Sequence, residues 1–349
     1  MSVKVGIVGA LGYTGTELIR LIHLHPEFEL VFATSRTSEG KKLKKEFPFL
    51  LKTKEGDLTI IHPDKAVDID VDLVFLAVPH KSAMGYVPLF LNRGAKVVDL
   101  SADFRLSNPK VYEEWYKTPH IQKELLNEAV YGLVEIYRED IKKAKLVANP
   151  GCYPTSVILA LYPALKNGLI DHSSIIIDTK SGASGAGRAL KLGILFSEVY
   201  DNFRPYSVAG VHRHTPEIEE QLSNIANKDI KVSFNPHLLP ILRGIISTIY
   251  VTLKQGVSFD DIYEKYLEFD KENRWIRVME KGCLVETRNV KGTMYCDISL
   301  CFDKRTNTLI IISCIDNVCR GASGQAIANA NLMSGFDEEL GLKQISVIP

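Results

Sequence analysis

No apolar run in this chain approaches the ~20 residues that a membrane-spanning helix needs. Met1-Ser2-Val3-Lys4 leads directly into strand-like sequence, with no signal-peptide pattern. The expected location is therefore the cytoplasm. There is no excess of one charge either: Lys+Arg and Asp+Glu are both 42, for a formal net charge of zero. No global field draws the chain to nucleic acid or to an anionic membrane, so the expected partners are small molecules. Paired CxxC spacing is also absent. The six cysteines (Cys152, Cys283, Cys296, Cys301, Cys314, Cys319) are scattered through 349 residues, which argues against a disulfide scaffold or a zinc site. They are expected to be reduced, and no metal is expected. Tandem repeats and low-complexity linkers are missing too, and the charge run Lys41-Lys42-Leu43-Lys44-Lys45 reads as a solvated face.

What remains is a globular chain, too long for one ordinary core, with 46% hydrophobic residues to fill two. Val3 to Val8 reads as a strand, Gly9-Ala10-Leu11-Gly12-Tyr13-Thr14-Gly15 as a loop, and Thr16 to Leu24 as a helix with Leu18, Leu21 and Ile22 on one face. Strand, glycine loop and helix in that order suit a dinucleotide: the backbone approaches the pyrophosphate and the helix N-terminus stabilises its charge. The spacing is GxxGxxG rather than GxGxxG, so a plain tight turn is the alternative. After the second strand, Phe28 to Ala33, the acid that would hold a ribose diol is missing, and Thr34-Ser35-Arg36 stands there instead. A guanidinium beside hydroxyls suits the 2′-phosphate of NADP; a capped turn is the bland reading. Strand-like runs at 72–77 and 95–100, separated by a helical stretch from Lys81 to Asn92, imply a doubly wound parallel sheet.

The segment Asn149-Pro150-Gly151-Cys152-Tyr153-Pro154-Thr155 places one cysteine where a short buried strand, Lys145 to Ala148, gives way to a helix over Thr155 to Leu161. A thiol near a helix N-terminus is favoured as thiolate, the form that attacks carbon. Cys152 is the candidate nucleophile, and a small buried hydrophobe is the alternative. Beyond it the pattern changes. Runs at 174–180, 230–234, 244–251, 294–300 and 309–313 are strand-like, with helices near Pro216 to Ala226 and Phe259 to Phe269. This implies an α+β domain on a broad, mostly antiparallel or mixed sheet whose free face is a natural place for subunits to meet. A last helix is expected over Ala322 to Met333.

Val211-His212-Arg213-His214-Thr215-Pro216-Glu217 offers two imidazoles just before a helix, with Thr215 expected as N-cap and Pro216 at the first helical position. Either histidine suits proton transfer with the thiol; two histidines bonded to backbone are the alternative. Ser181-Gly182-Ala183-Ser184-Gly185-Ala186-Gly187-Arg188 is a second glycine-rich loop after a strand, suited to phosphate or to the nicotinamide end of a cofactor. Arg105, in Ser101-Ala102-Asp103-Phe104-Arg105, follows a strand at the edge where ligands of doubly wound sheets gather, and is a candidate anion clamp.

Together, Gly9 to Gly15, Asp99 to Arg105, Asn149 to Thr155, Ser181 to Arg188, His212 to Glu217 and Ile315 to Ala326 resemble the N-acetyl-γ-glutamyl-phosphate reductases of arginine biosynthesis, relatives of the aspartate-semialdehyde dehydrogenases. The resemblance runs through nearly the whole chain; a small departure is Val318-Cys319-Arg320, where the family often has a Leu-Val-Lys-like run. It implies an NADP-binding Rossmann domain over 1–149 with a C-terminal helix at 321–349, and a catalytic and oligomerising domain over 150–320. It further implies a homo-oligomer, dimer or tetramer. Carried onto this sequence, it puts the catalytic thiol at Cys152 and the proton-transferring histidine at His214. His212 becomes a substrate contact or alternative base, alongside Arg105, Ser181 and Asn149. Cofactor contacts fall on Gly9, Ala10, Leu11, Gly12, Tyr13, Thr14 and Gly15, on Thr34, Ser35 and Arg36, and on Gly182 and Asn317. The implied reaction is NADPH-dependent reduction of an acyl phosphate to a semialdehyde through a cysteine thioester.

Two rival substrates remain at this point. One is a glutamyl or 2-aminoadipyl phosphate presented on a small acidic amino-group carrier protein, in lysine as well as arginine synthesis; one methylene is worth only ~1–3 kcal/mol of discrimination. The other is aspartyl phosphate, against which His212-Arg213-His214 argues. From another class, a nucleotide-binding regulator would have the fold without the reaction, but such a module needs no cysteine at a helix start beside a histidine pair.

Overall fold

Runs such as Leu73–Leu76 and Leu146–Ala148 are buried at every residue, so neither face of these strands meets water, as a parallel sheet covered on both sides requires. In the computed structural model, which describes residues 2–348, they belong to a six-stranded sheet. Its strands are β1 (Val3–Val8), β2 (Phe28–Ala33), β3 (Leu73–Leu76), β4 (Lys96–Asp99), β5 (Val130–Tyr131) and β6 (Leu146–Ala148). The order is β2-β1-β3-β4-β6-β5, and every pairing is parallel. The chain enters at β1, steps outward to β2, and returns to β3 on the other side of β1. That reversal opens a crevice at the carboxyl ends of β1 and β3, where sheets of this kind hold ligands. Helices Tyr13–His23 and Ala83–Asn92 connect the strands, each somewhat displaced from the residues expected.

This unit runs up to Pro150 and takes in Ala322–Lys343. The returning segment is the helix Gly324–Met333, buried at every residue although several are polar. Polar bonds tie it down: Gln325 Nε2 and Asn329 Nδ2 both donate to the Gly132 carbonyl, at 2.7 and 2.9 Å. His25 Nε2 and Asn331 Oδ1 lie 2.8 Å apart. The helix expected over 321–349 is shorter than that. It ends in a Schellman motif, where the N–H of Phe336 donates to Asn331 O (2.9 Å) and that of Gly335 to Leu332 O (3.1 Å). From Gln344 onward the chain belongs to the second unit, where Ser346 Oγ donates to the carbonyls of Arg288 and Lys291.

The second unit, Gly151–Gly321 with the segment from Gln344, is built on seven strands. These are β7 (Ile170–Gly182), β8 (Arg204–Pro205), β9 (Val232–Leu239), β10 (Ile245–Leu253), β11 (Ile276–Val278), β12 (Cys296–Asp303) and β13 (Thr308–Ile315), in the order β11-β12-β13-β10-β7-β9-β8. The sheet is mixed, since β7 pairs with β9 and β11 with β12 in parallel while the other pairs are antiparallel. On β10 burial alternates with the pleat: Ile245, Ser247, Ile249 and Val251 are buried, and Ile246, Thr248 and Tyr250 are partly exposed. The buried face receives the helix Cys152–Lys166, which covers a row of hydroxyls. Ser156 Oγ lies 2.9 Å from Ser247 Oγ and 2.7 Å from Ser313 Oγ, and Thr179 Oγ1 lies 2.8 Å from Ser247 Oγ. Small hydroxyl side chains bring that helix close to the sheet and leave no donor stranded. Among the described residues no helix is long and apolar enough to cross a membrane.

Candidate active site

In the first unit the turn after β1 is shaped for a phosphate. Gly9 has φ +90°, and a Cβ there would lie 2.3 Å from the carbonyl oxygen of Ala77, so only glycine fits. Gly12 caps the helix Tyr13–His23, whose first turn carries no acid, leaving its positive end unopposed. Ala10 is fully buried and presents only its backbone, whereas Tyr13 is exposed. Thr34 does not face solvent. It is fully buried, and its Oγ1 accepts the N–H of Gly9 at 3.1 Å, so it braces the glycine turn. Ser35 Oγ accepts the N–H of Thr37 and lies 3.2 Å from Thr37 Oγ1, which adds a second hydroxyl that the sequence reading missed. Arg36 alone of the expected trio is exposed. The nearby Lys41 to Lys45 run is partly neutralised in place, Lys41 pairing with Glu46 and Lys44 with Asp57.

Arg105 is buried, and its guanidinium holds main chain: Nε donates to the carbonyl of Asn149 and Nη2 to that of Leu100, both at 2.8 Å. Asn149 is also buried. Its Nδ2 donates to Ala322 O and its Oδ1 accepts from Asn329 Nδ2, each at 3.0 Å. Beneath them the carboxyl of Asp99 is pushed up to about 7, first by burial and then by the neighbouring Asp103. Asp103 itself accepts the N–H groups of Lys81 (2.7 Å) and Ala83 (2.9 Å) and the hydroxyl of Tyr112 (2.8 Å).

In the second unit Cys152 is the first residue of its helix, three residues earlier than the sequence suggests; Gly151 is the N-cap and the first turn carries no acid. Pro154, which reads as a helix breaker, sits in that first turn, where it has no N–H to waste. The thiol is partly exposed. A Cβ on Gly321 would lie 2.6 Å from Cys152 Cβ, so the backbone of the 316–321 turn presses directly on the cysteine. That turn hangs on Asp316, which accepts the N–H groups of Val318 and Cys319, each at 2.8 Å, and pairs with Arg243.

Around the thiol lies an aromatic cluster. The ring of Tyr153 stands edge-on to His212 (5.6 Å), His214 (5.9 Å) and Phe234 (5.5 Å), and its hydroxyl is 2.8 Å from that of Tyr206. Burial, then the other phenol, pushes the Tyr153 hydroxyl well above its usual range; burial does the same to Tyr206, and the Cys152 charge adds to both. The two histidine rings are 5.0 Å apart. His212 Nδ1 accepts the N–H of His214 at 3.0 Å, so the neutral ring carries its proton on Nε2. Burial, helped by the charge of Arg213, lowers His212 to about 4. His212 is thus neutral at neutral pH, with its Nε2–H as a hydrogen-bond donor. His214, not Thr215, is the N-cap of the helix Thr215–Ala226: its backbone is αR, and its carbonyl accepts the first helical bond, from Ile218. Pro216 is accordingly the second helical residue.

Glu217, buried in the first turn of that helix, accepts the N–H of Gly151 at 2.8 Å. Nothing in the sequence reading gave it a role of its own. Ser181 is buried, its Oγ donating to Gly182 O, and it is also a hydrogen-bond partner of the Tyr153 side chain. Asn317 has both ends of its amide engaged within the protein: Oδ1 accepts the N–H of Gly244 (2.7 Å) and Nδ2 donates to Ser184 Oγ (2.9 Å). Gly182 donates to Gly244 O. The second unit thus gathers Cys152, His212, His214 and Ser181 around Tyr153, while the glycine loop, Thr34 to Arg36, Arg105 and Asn149 lie in the first.

Residues 4–144 match the semialdehyde dehydrogenase NAD-binding domain family and residues 152–317 the semialdehyde dehydrogenase dimerisation domain family. The N-acetyl-γ-glutamyl-phosphate reductase of Desulfotalea psychrophila is 49% identical over 350 residues, covering 99% of this chain and all of that one. That of Pelotomaculum thermopropionicum is 49% identical over the full length of both. The chain belongs to the N-acetyl-γ-glutamyl-phosphate reductase family. Its fold extends beyond the family: aspartate semialdehyde dehydrogenase II of Vibrio cholerae, solved with ASA, superposes with a TM-score of 0.73 at 16% identity, covering 96% of this chain and 99% of that one. The aspartate semialdehyde dehydrogenase of Candida albicans, solved with NADP, gives 0.70 at 18% identity and the same coverage. Family membership makes the chain an oxidoreductase with a nicotinamide-cofactor domain.

Proposed function

We propose that the protein reduces N-acetyl-γ-glutamyl phosphate to the corresponding semialdehyde, with Cys152 as nucleophile. The observation that carries the reading is the placement of Cys152 at the first position of a buried helix, next to Tyr153, whose ring packs on both His212 and His214. The helix N-terminus favours the thiolate, which attacks the acyl carbon and expels phosphate, leaving a thioester on Sγ. His214 takes the thiol proton, gives one to the carbonyl oxygen as the thioester is reduced, and takes it back as the thiohemiacetal on Sγ collapses, breaking the C–S bond to release the semialdehyde and restore the Cys152 thiolate. His212, neutral with Nε2–H, donates a hydrogen bond to substrate. The Gly151 N–H is already held by Glu217, so the oxyanion must rely on donors beyond it. Bound NADPH supplies the hydride. Gly9 to Gly15 hold its pyrophosphate, while Arg36, with the Ser35 and Thr37 hydroxyls, favours a 2′-phosphate over a bare ribose. Arg105, anchored on Asn149 and Leu100, supplies positive charge for the substrate phosphate.

Cys152→Ser is expected to keep NADPH affinity within about 2-fold and to lose reduction by several orders of magnitude. Retained turnover in that variant overturns the scheme. The reverse reaction, followed by NADPH formation with phosphate and N-acetylglutamate semialdehyde, tests the substrate; turnover only with aspartate semialdehyde or with a carrier-linked semialdehyde would reassign it.

The open face of the second sheet supports self-association. Ile176, Tyr250 and Ile310 stand directly opposite one another on three neighbouring strands, all at least partly exposed, with Cys301 next in the row. An apolar row of this kind suits a second copy of the same chain. Tyr250→Glu is expected to convert the oligomer to monomer by light scattering, and an unchanged mass excludes this face.

A further inference from the structure

Arg36 reaches solvent from the turn after β2, and its Nη2 donates to the phenol oxygen of Tyr86 at 3.4 Å. Among the described residues no carboxylate lies within ion-pair distance of it, so its charge is left for a ligand. Tyr86 belongs to the helix Ala83–Asn92, and its ring packs against the buried cluster that includes Phe32, Val87 and Phe90. The ring is held, partly buried, against that cluster while the hydroxyl reaches out to the Arg36 side chain. An arginine on four rotatable bonds loses conformational freedom when a phosphate captures it, and a guanidinium already held in place loses less. Nothing in the nucleotide-binding pattern of glycines and post-strand residues marks position 86.

We propose that Tyr86 is a positioning residue for cofactor discrimination: it holds the Arg36 guanidinium ready for a 2′-phosphate and so sets the preference for the 2′-phosphorylated nucleotide. This rests on the reading of Arg36 as the 2′-phosphate contact. Because the hydroxyl acts only through Arg36, removing it weakens ligands that carry the phosphate and spares those that do not.

The test is calorimetric titration of the full chain with 2′,5′-ADP and with 5′-ADP, in the wild type, Tyr86→Phe, Arg36→Ala and the double variant. Phenylalanine keeps the packed ring, and 5′-ADP binding reports an intact nucleotide crevice. The wild type is expected to prefer 2′,5′-ADP; Tyr86→Phe should weaken 2′,5′-ADP about 3- to 10-fold, the range of one hydrogen bond, and leave 5′-ADP unchanged. In the Arg36→Ala background the same substitution should have no further effect. An unchanged 2′,5′-ADP affinity in Tyr86→Phe, equal weakening of both ligands, or an effect that persists without Arg36 overturns the role of Tyr86. A wild type without preference between the two ligands overturns the 2′-phosphate reading itself, a different outcome from the other three.

Discussion

Glu217 accepts the backbone N–H of Gly151 at 2.8 Å, and this one bond ties the helix behind the histidine pair to the residue before the nucleophile. Sixty-six positions separate the two in sequence, so neither local propensity nor a turn rule brings them together. The carboxylate is buried, and the amide it satisfies is the N-cap of the Cys152–Lys166 helix. Glu217→Ala strands that donor and is expected to lower stability by about 1–3 kcal/mol. Glu217→Gln keeps an acceptor oxygen and should recover most of it. Denaturant midpoints of the two variants make the comparison, and equal loss in both would mean that charge rather than the hydrogen bond matters.

The neutral state of His212 predicts an acid limb in stability. Its folded value, about 4, lies below the ordinary histidine value of 6.5, so between the two the unfolded chain binds the extra proton and stability falls as pH falls. At pH 5 the deficit from this residue is about 2 kcal/mol relative to pH 7 and above. His212→Asn retains an acceptor for the His214 N–H and has nothing to titrate. The difference in melting temperature between pH 7 and pH 5 should shrink in that variant; an identical difference would place the acid sensitivity elsewhere.

Much of this architecture is legible in the sequence because its strongest signals are periodic or punctuated. The burial of β3 and β6 is written in unbroken apolar runs, and the crevice in the glycines between β1 and the first helix. The seven-stranded sheet shows in runs rich in Ile and Val, but β9 extends through Asn235-Pro236, which local rules read as a break. Two-residue strands such as β5 and β8 exist only because neighbours pair with them. In the site, residue types were legible and directions were not. The Thr34 hydroxyl turns inward to Gly9, and the Asn149 amide to Ala322 and Asn329. Which way a polar side chain faces is settled by tertiary partners that a local window does not contain.

Gly9 offers a test confined to the nucleotide crevice. At φ +90°, with a carbonyl oxygen 2.3 Å from where a Cβ would sit, Gly9→Ala must move the turn or the Ala77 strand end. The strain is on the order of 1–3 kcal/mol. NADPH affinity is expected to drop at least 10-fold, while alkylation of Cys152 by iodoacetamide without nucleotide should proceed at the wild-type rate. Unchanged affinity would remove the glycine turn from the cofactor site.

Gly321 offers the complementary test on the thiol. The turn that carries it is held by Asp316, through Val318, Cys319 and Arg243, and so cannot easily retreat. In Gly321→Ala the new methyl would meet Cys152 at 2.6 Å from its Cβ and 3.0 Å from its Cα, well inside contact distance for backbone-anchored atoms. Either the turn shifts away or the start of the helix does, and the sulfur moves by some tenths of an ångström up to about 1 Å in either case. Misplacement on that scale costs up to about 100-fold in a reaction that depends on alignment. The expected result is a kcat lower by 10- to 100-fold with NADPH affinity within 2-fold of wild type, because nothing in the glycine turn or at Arg36 is touched. Steady-state kinetics and nucleotide titration on the same preparation decide it. A variant with wild-type kcat would show that the position of Cys152 is not held by the 316–321 turn, and one that loses NADPH binding as well would show that the damage is not local to the thiol.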